Sequence, residues 1–232
     1  MSALKPLADW FGGLPQVILM DLDGTLVDSA ADIALSLNRA LADLGLGAVT
    51  EAQVRDWVGR GAARLIEVAL QHVVPHHAQD PQRHAVEARL LAAFMARYQD
   101  SVCEASTVYP GVAEFVAAAR EAGIRLACVT NKPYRPAVAL LEALNLLDAF
   151  ELIIGGDSLA HKKPHPEPLL HCLRHFEVTA AQALMVGDSR NDVDAAKAAG
   201  VKSLAVPYGY NHGEPIEACE PDRLVASLAE LI

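Results

Sequence analysis

The sequence predicts an α/β protein: a Rossmann-like, doubly wound parallel sheet carrying an inserted all-helical unit. Five short apolar runs, VILMD (17 to 21), IRLACVTN (124 to 131), FELIIGGD (150 to 157), ALMVGD (183 to 188) and KSLAVP (202 to 207), each end in a polar or Gly-rich loop. Helical patterns such as EFVAAAREAG, AVALLEALN and EPLLHCLRHF stand between these runs, as buried parallel strands joined by crossover helices require. Between the first and second runs, however, lie about 75 residues, 31 to 105, far more than one crossover helix needs.

The first run ends in two acids, Asp21 and Asp23, before a Gly-Thr turn. On an extended strand, positions i and i+2 face the same side, so these carboxylates are expected to crowd together and raise each other's pKa unless a cation accommodates them. An Asp- and Gly-rich turn capping the next helix is the ordinary alternative. The long segment that follows holds helical patterns (IALSLNRALADLG, AARLIEVALQHV, AVEARLLAAFMARYQ) and no convincing strand. It reads as a helical cap over 31–105, returning near VYPGV, with residues 1–30 and 106–232 forming the core.

Hydrophobic residues make up 52% and charged residues 21%, without low-complexity tracts, so the chain is expected to be globular. A formal net charge of −10 argues against nucleic acid and anionic membranes as partners, because both reward summed positive charge. Cys103, Cys128, Cys172 and Cys219 form no CxxC pair, which points to buried free thiols. The N-terminal MSALKPLADWFGGLPQ has no run of signal-peptide type, and no uncharged apolar stretch is long enough to span a bilayer. A soluble cytoplasmic protein, monomeric or a small homo-oligomer, is the expectation.

In doubly wound sheets, ligands bind outside the carboxyl ends of the strands. Four such ends supply polar groups here: Asp21 and Asp23, Thr130 and Asn131, Lys163, and Asp188 with Asp192. Each has an ordinary explanation, Ser189-x-x-Asp192 for example fitting a capping box. Their convergence on one edge favours phosphoryl transfer. Carboxylates around a hard cation are how magnesium is usually held, while a lysine and a hydroxyl neutralise the remaining phosphate oxygens. One carboxylate can act as nucleophile through an aspartyl phosphate and a second as acid, then base.

DLDGT (21 to 25), VTN (129 to 131), KKP (162 to 164) and GDSRND (187 to 192) resemble, in order and spacing, the four motifs of the haloacid-dehalogenase superfamily. WVGRGAARLIEVAL, VTNKPYRPAVALLEAL, GGDSLAHKKPHPEPLL and YGYNHGEPI resemble the bacterial phosphoglycolate phosphatases within it; Met20 stands where a Phe is common. The resemblance implies Mg²⁺-dependent hydrolysis of a small anionic phosphate ester, 2-phosphoglycolate, to glycolate and phosphate. Asp21 would be the nucleophile and Asp23 the acid/base, its main-chain carbonyl also on the metal. Thr130, Asn131 and Lys163 would bind phosphate. Asp188 would ligate the metal, with Asp192 ligating or supporting it.

Another phosphatase substrate, such as a sugar-acid or sugar phosphate, a sugar-phosphate mutase and a catalytically idle binding protein are the alternatives. A phosphonate hydrolase needs a cap lysine, and residues 31–108 contain none. With no lysine there, Arg60 and Arg64, around the Gly59-x-Gly61 turn, are the expected readers of a substrate carboxylate.

Overall fold

The computed structural model describes residues 4–74 and 76–232. Residues 1–3 of the N-terminal stretch and Pro75 of the predicted cap lie outside them. After helix α1 (Lys5–Phe11) comes strand β1 (Val17–Met20), all four residues of which are buried. Beyond it run β2 (Val27–Asp28) and four helices, α2 (Ala30–Asp43), α3 (Glu51–Trp57), α4 (Ala62–Val73) and α5 (Arg83–Asp100). The chain returns through β3 (Thr107–Val108) to α6 (Val112–Glu121), β4 (Arg125–Val129), α7 (Tyr134–Ala143), β5 (Leu152–Ile154) and α8 (Glu167–Phe176). It closes with β6 (Ala183–Gly187), α9 (Arg190–Ala199), β7 (Lys202–Ala205) and β8 (Arg223–Leu224).

Six strands pair in parallel in the order β5-β4-β1-β6-β7-β8. Alternation divides each strand between two apolar layers: Ile18, Met20, Leu126, Cys128, Leu184 and Val186 pack on one face, Val17, Leu19, Ala127, Val129, Ala183 and Met185 on the other. The sheet is therefore covered on both sides, which is why its strands read as continuous apolar runs. The topology turns back beside β1, so the carboxyl ends of β4, β1 and β6 open onto one crevice.

The helices of residues 30–100 share a separate apolar cluster. Ile33, Leu37 and Leu41 on α2, Leu65, Ile66, Ala69 and Leu70 on α4, and Leu90, Phe94 and Tyr98 on α5 recur at the three- and four-residue spacing of one helical face. Thr50 and Gln53 form a capping box that starts α3. Tyr210, from beyond β7, is the residue of the sheet-bearing part that enters this cluster.

The two connections to the helical unit run side by side as an antiparallel ribbon, β2 with β3. Asp32, on the first turn of α2, accepts hydrogen bonds from Ala105 N, Ser106 N and Ser106 Oγ, tying the outgoing connection to the returning one. Neither this ribbon nor β8 was expected from the sequence, since two-residue strands carry no periodicity. Among the described residues no helix is long and apolar enough to cross a membrane.

Candidate active site

β1 stops at Met20, and Asp21 and Asp23 lie in the turn beyond it. Asp21 Oδ1 accepts a hydrogen bond from Leu22 N at 2.7 Å and faces Lys163 Nζ at 3.0 Å. Among the described residues no donor reaches its Oδ2. Lys163 is 2% exposed, and its Nζ also donates to Asp192 Oδ1 at 2.6 Å. Burial pushes the Asp21 carboxyl up to about 7; Asp192 adds to that rise and Lys163 works against it. Burial, and then Asp192 and Asp21, drive the Asp188 carboxyl well above the ordinary range. Lys163 is held above the usual lysine value: burial opposes its charge, but Asp192 and Asp21 outweigh it.

Asp21 and Asp23 line the same cavity but do not share one cation. The strand ends before either acid, and Gly24, at φ +89°, turns the chain back on itself. Each acid has its own lysine instead. Asp23 receives Lys132 Nζ on Oδ1 at 2.8 Å and on Oδ2 at 3.0 Å, and Ser29 Oγ donates to its Oδ1. Lys132 is buried, with its ammonium 4.6 Å from the centre of the Tyr98 ring. The sequence reading missed both Lys132 and Tyr98. Lys132 stands directly after the VTN motif, which was the available signal; Tyr98 reads only as a core position of α5.

Thr130 accepts Lys132 N on Oγ1 at 3.1 Å, which leaves its hydroxyl proton free to donate into the crevice. Asn131 differs from expectation: Nδ2 is taken up by the carbonyls of Gly59 and Lys163, both at 2.8 Å. One amide proton thus reaches the Gly59–Gly61 loop and the other the main chain at Lys163. Asn191 Nδ2 reaches the same Gly59 carbonyl, and Lys162 Nζ reaches the Arg60 carbonyl. Arg60 and Arg64 do not line the cavity between the two parts of the chain. Arg64 pairs with Glu67 on its own helix at 2.6 Å, and Arg60 is exposed. The glycines of that turn bring main chain, not a guanidinium, to the cavity wall.

That cavity, about 50 Å³, is lined by Asp21, Asp23, Thr130 and Lys132 together with the apolar Ile33, Val58, Leu65 and Phe94.

One carboxylate oxygen from each of Asp21, Asp188 and Asp192 lies within 4.8 Å of the others, all three residues buried. Such an all-oxygen set suits a hard divalent cation. Asp188 is held in place by Thr25 Oγ1 on Oδ1 and Tyr210 N on Oδ2. It sits in a cradle that only glycine permits, since a Cβ on Gly24 or on Gly209 would come within 2.3 Å of its Oδ2. Asp192 is differently engaged: besides Lys163 on Oδ1, its Oδ2 accepts Ser189 N and Oγ, so it caps α9 as well as facing the cluster. The donor set fits a metal ion, with Asp21 and Asp188 having the most freedom to bind it.

The model of the haloacid dehalogenase-like hydrolases matches residues 18–206. A phosphoglycolate phosphatase of Nitrosococcus oceani is 42% identical over 217 residues, covering 94% of this chain and 95% of the relative. Among solved structures, a predicted phosphoglycolate phosphatase from Haemophilus somnus superposes with a TM-score of 0.85 at 35% identity, covering 93% of this chain and 96% of the other. CbbY from Rhodobacter sphaeroides, solved with xylulose-(1,5)-bisphosphate, superposes with a TM-score of 0.78 at 29% identity, covering 94% and 96%. With its match to the family over most of its length and four polar clusters at the carboxyl edge of one parallel sheet, the chain belongs to the haloacid dehalogenase-like hydrolases.

Proposed function

We propose that this enzyme is a phosphoglycolate phosphatase, hydrolysing 2-phosphoglycolate to glycolate and inorganic phosphate with Mg²⁺ through an aspartyl phosphate on Asp21. The observation that carries the reading is Asp21 itself: a buried carboxylate beside the cavity, fixed through Oδ1 by Leu22 N and Lys163, whose Oδ2 no donor among the described residues reaches. The relatives named phosphoglycolate phosphatase support the substrate. A small cavity lined by both polar and apolar side chains suits a small ester.

Asp21 Oδ2 attacks phosphorus and the bond to the glycolate oxygen breaks, with Asp23 giving that oxygen its proton. Water then loses a proton to Asp23 and attacks the aspartyl phosphate, releasing phosphate and restoring Asp21. Lys163 and the Thr130 hydroxyl meet the phosphate oxygens as charge spreads over them. Mg²⁺, held by Asp21, Asp188 and the Asp23 main-chain carbonyl with Asp192 in support, would supply further positive charge for the phosphate. Residues 31–105 act as the cap over residues 1–30 and 106–232. The core side chains Asn131, Asn191 and Lys162, bonded to the carbonyls of Gly59 and Arg60, hold that cap against the crevice. Closure there keeps bulk water from the reacting phosphate.

The test is phosphate release from 2-phosphoglycolate, sugar phosphates and simple alkyl phosphates, with and without Mg²⁺. The highest kcat/KM should fall on 2-phosphoglycolate and only with the metal. A sugar phosphate turned over best would move the chain to the substrate type seen with CbbY.

A further inference from the structure

If the substrate is 2-phosphoglycolate, something must recognise its carboxylate, and neither Arg60 nor Arg64 lines the cavity. Among the described residues that do, Lys132 is the one cationic side chain. It is 6% exposed, and an ammonium kept out of water there keeps its charge because Asp23 and the Tyr98 ring face it. An ammonium has three protons to donate, and the two oxygens of Asp23 account for two.

The covalent structure of the substrate fixes where its carboxylate goes. The leaving oxygen is bonded to a methylene, and that methylene to the carboxylate carbon. A group that protonates the leaving oxygen and a group that reads the carboxylate must therefore be neighbours. Asp23 is the proton donor of the proposed reaction, and Lys132 Nζ is 2.8 Å from it.

A second feature lies at the same place. Tyr98, which reaches the cavity from α5, is 2% exposed, and its hydroxyl, beside the Lys132 ammonium, makes no well-formed hydrogen bond among the described residues. Native proteins rarely leave such a donor unpaired without a reason. Burial pushes this hydroxyl up to about 12, so at neutral pH it holds its proton and can give a hydrogen bond to an anion.

We infer that Lys132 from the core and Tyr98 from the helical unit together bind the substrate carboxylate. This rests on the proposed phosphoglycolate activity and names the residues that would select for it. The carboxylate would draw the two parts of the chain together, since one of its partners comes from each.

The experiment compares 2-phosphoglycolate with ethyl phosphate, in which a methyl group replaces the carboxylate, by kcat/KM in wild type, Lys132→Met, Lys132→Gln and Tyr98→Phe. Removing the cation should cut the wild-type preference for the carboxylated ester by about 100-fold, and removing the hydroxyl by about 10-fold. Both substrates fall in the lysine variants, because Asp23 loses its partner, but the carboxylated one falls much further. Lys132→Gln keeps a hydrogen-bond donor beside Asp23 without the charge, and should lose the preference as Lys132→Met does. Tyr98→Phe removes a buried hydroxyl that makes no well-formed hydrogen bond, so it should melt about as wild type does and remains decisive if the lysine variants do not fold.

Equal losses on the two substrates, or a preference that survives in Tyr98→Phe and both lysine variants, would overturn the assignment while leaving the phosphoglycolate activity standing. A wild type that shows no preference would instead overturn that activity, and this inference with it.

Discussion

Replacing Asp32 tests how the helical unit is fastened to the sheet. Its carboxylate accepts Ala105 N at 2.9 Å, Ser106 N at 2.7 Å and the Ser106 hydroxyl, and the residue has no exposed surface. Ala105 is exposed, so water can take over its N–H in Asp32→Ala. Ser106 is buried, and both of its donors would be left without a partner. A hydrogen bond to a charged acceptor contributes roughly 1.5–3 kcal/mol, and two that share one carboxylate are not fully additive. The expected loss for Asp32→Ala is about 3–4 kcal/mol, read as a lower urea midpoint at unchanged slope. Asp32→Asn keeps one acceptor oxygen without the charge and should lose about half as much. A loss below about 1 kcal/mol in Asp32→Ala, or equal losses in the two variants, would refute the view that this carboxylate clasps the two connections.

Other consequences concern charge. Hydrogen bonds from Arg55 and Tyr210 hold the Asp28 carboxyl below its ordinary value of 3.8, against the upward push of burial. A depressed folded pKa contributes stability above the unfolded value and loses it as pH falls through the folded one. Asp28→Asn should thus be less stable than wild type at neutral pH, with the gap in unfolding free energy narrowing below about pH 3.8. The Asp21 carboxyl has the opposite sign: pushed up to about 7, it favours the metal-free fold fully below its unfolded value, and that contribution is gone once pH rises past 7. Mg²⁺ should therefore raise the melting temperature more at pH 8 than at pH 6, by about 3–6 °C for the roughly tenfold change in apparent affinity. An equal rise at the two pH values would count against Asp21 as a ligand. Arg60→Ala and Arg64→Ala should alter kcat/KM for 2-phosphoglycolate by less than about twofold, as surface substitutions normally do. Lys162→Met should raise KM more than it lowers kcat by freeing the Arg60 carbonyl; a change in kcat alone would contradict a role in holding the loop.

The sheet was legible because buried parallel strands leave unbroken apolar runs, and the crevice because strand order places their polar ends along one edge. The helical unit was legible from its three- and four-residue spacing and from the length of chain between the first two strands. What sequence could not convey was where side chains point after a strand stops. Spacing brought Asp21 and Asp23 to one place but could not show that each meets its own lysine. Arg60 looked suited to an anion by type and by its glycine neighbours, yet those glycines bring its main chain to Lys162. Lys132 meets Asp23 across 109 positions of sequence, and Tyr98 reaches the same place from α5, a convergence that exists only once the two parts of the chain are packed.

The nucleophile is the centre of this account, and the most direct measurement is to trap it. Wild type would be mixed briefly with 2-phosphoglycolate and Mg²⁺, quenched in acid and reduced with borohydride, which converts an aspartyl phosphate to homoserine, and the peptides read by mass spectrometry. Homoserine at position 21, absent without substrate and accompanied by loss of turnover in Asp21→Asn, is the predicted result. Homoserine at another aspartate, or an Asp21→Asn enzyme that still turns over with deamidation ruled out, would contradict it.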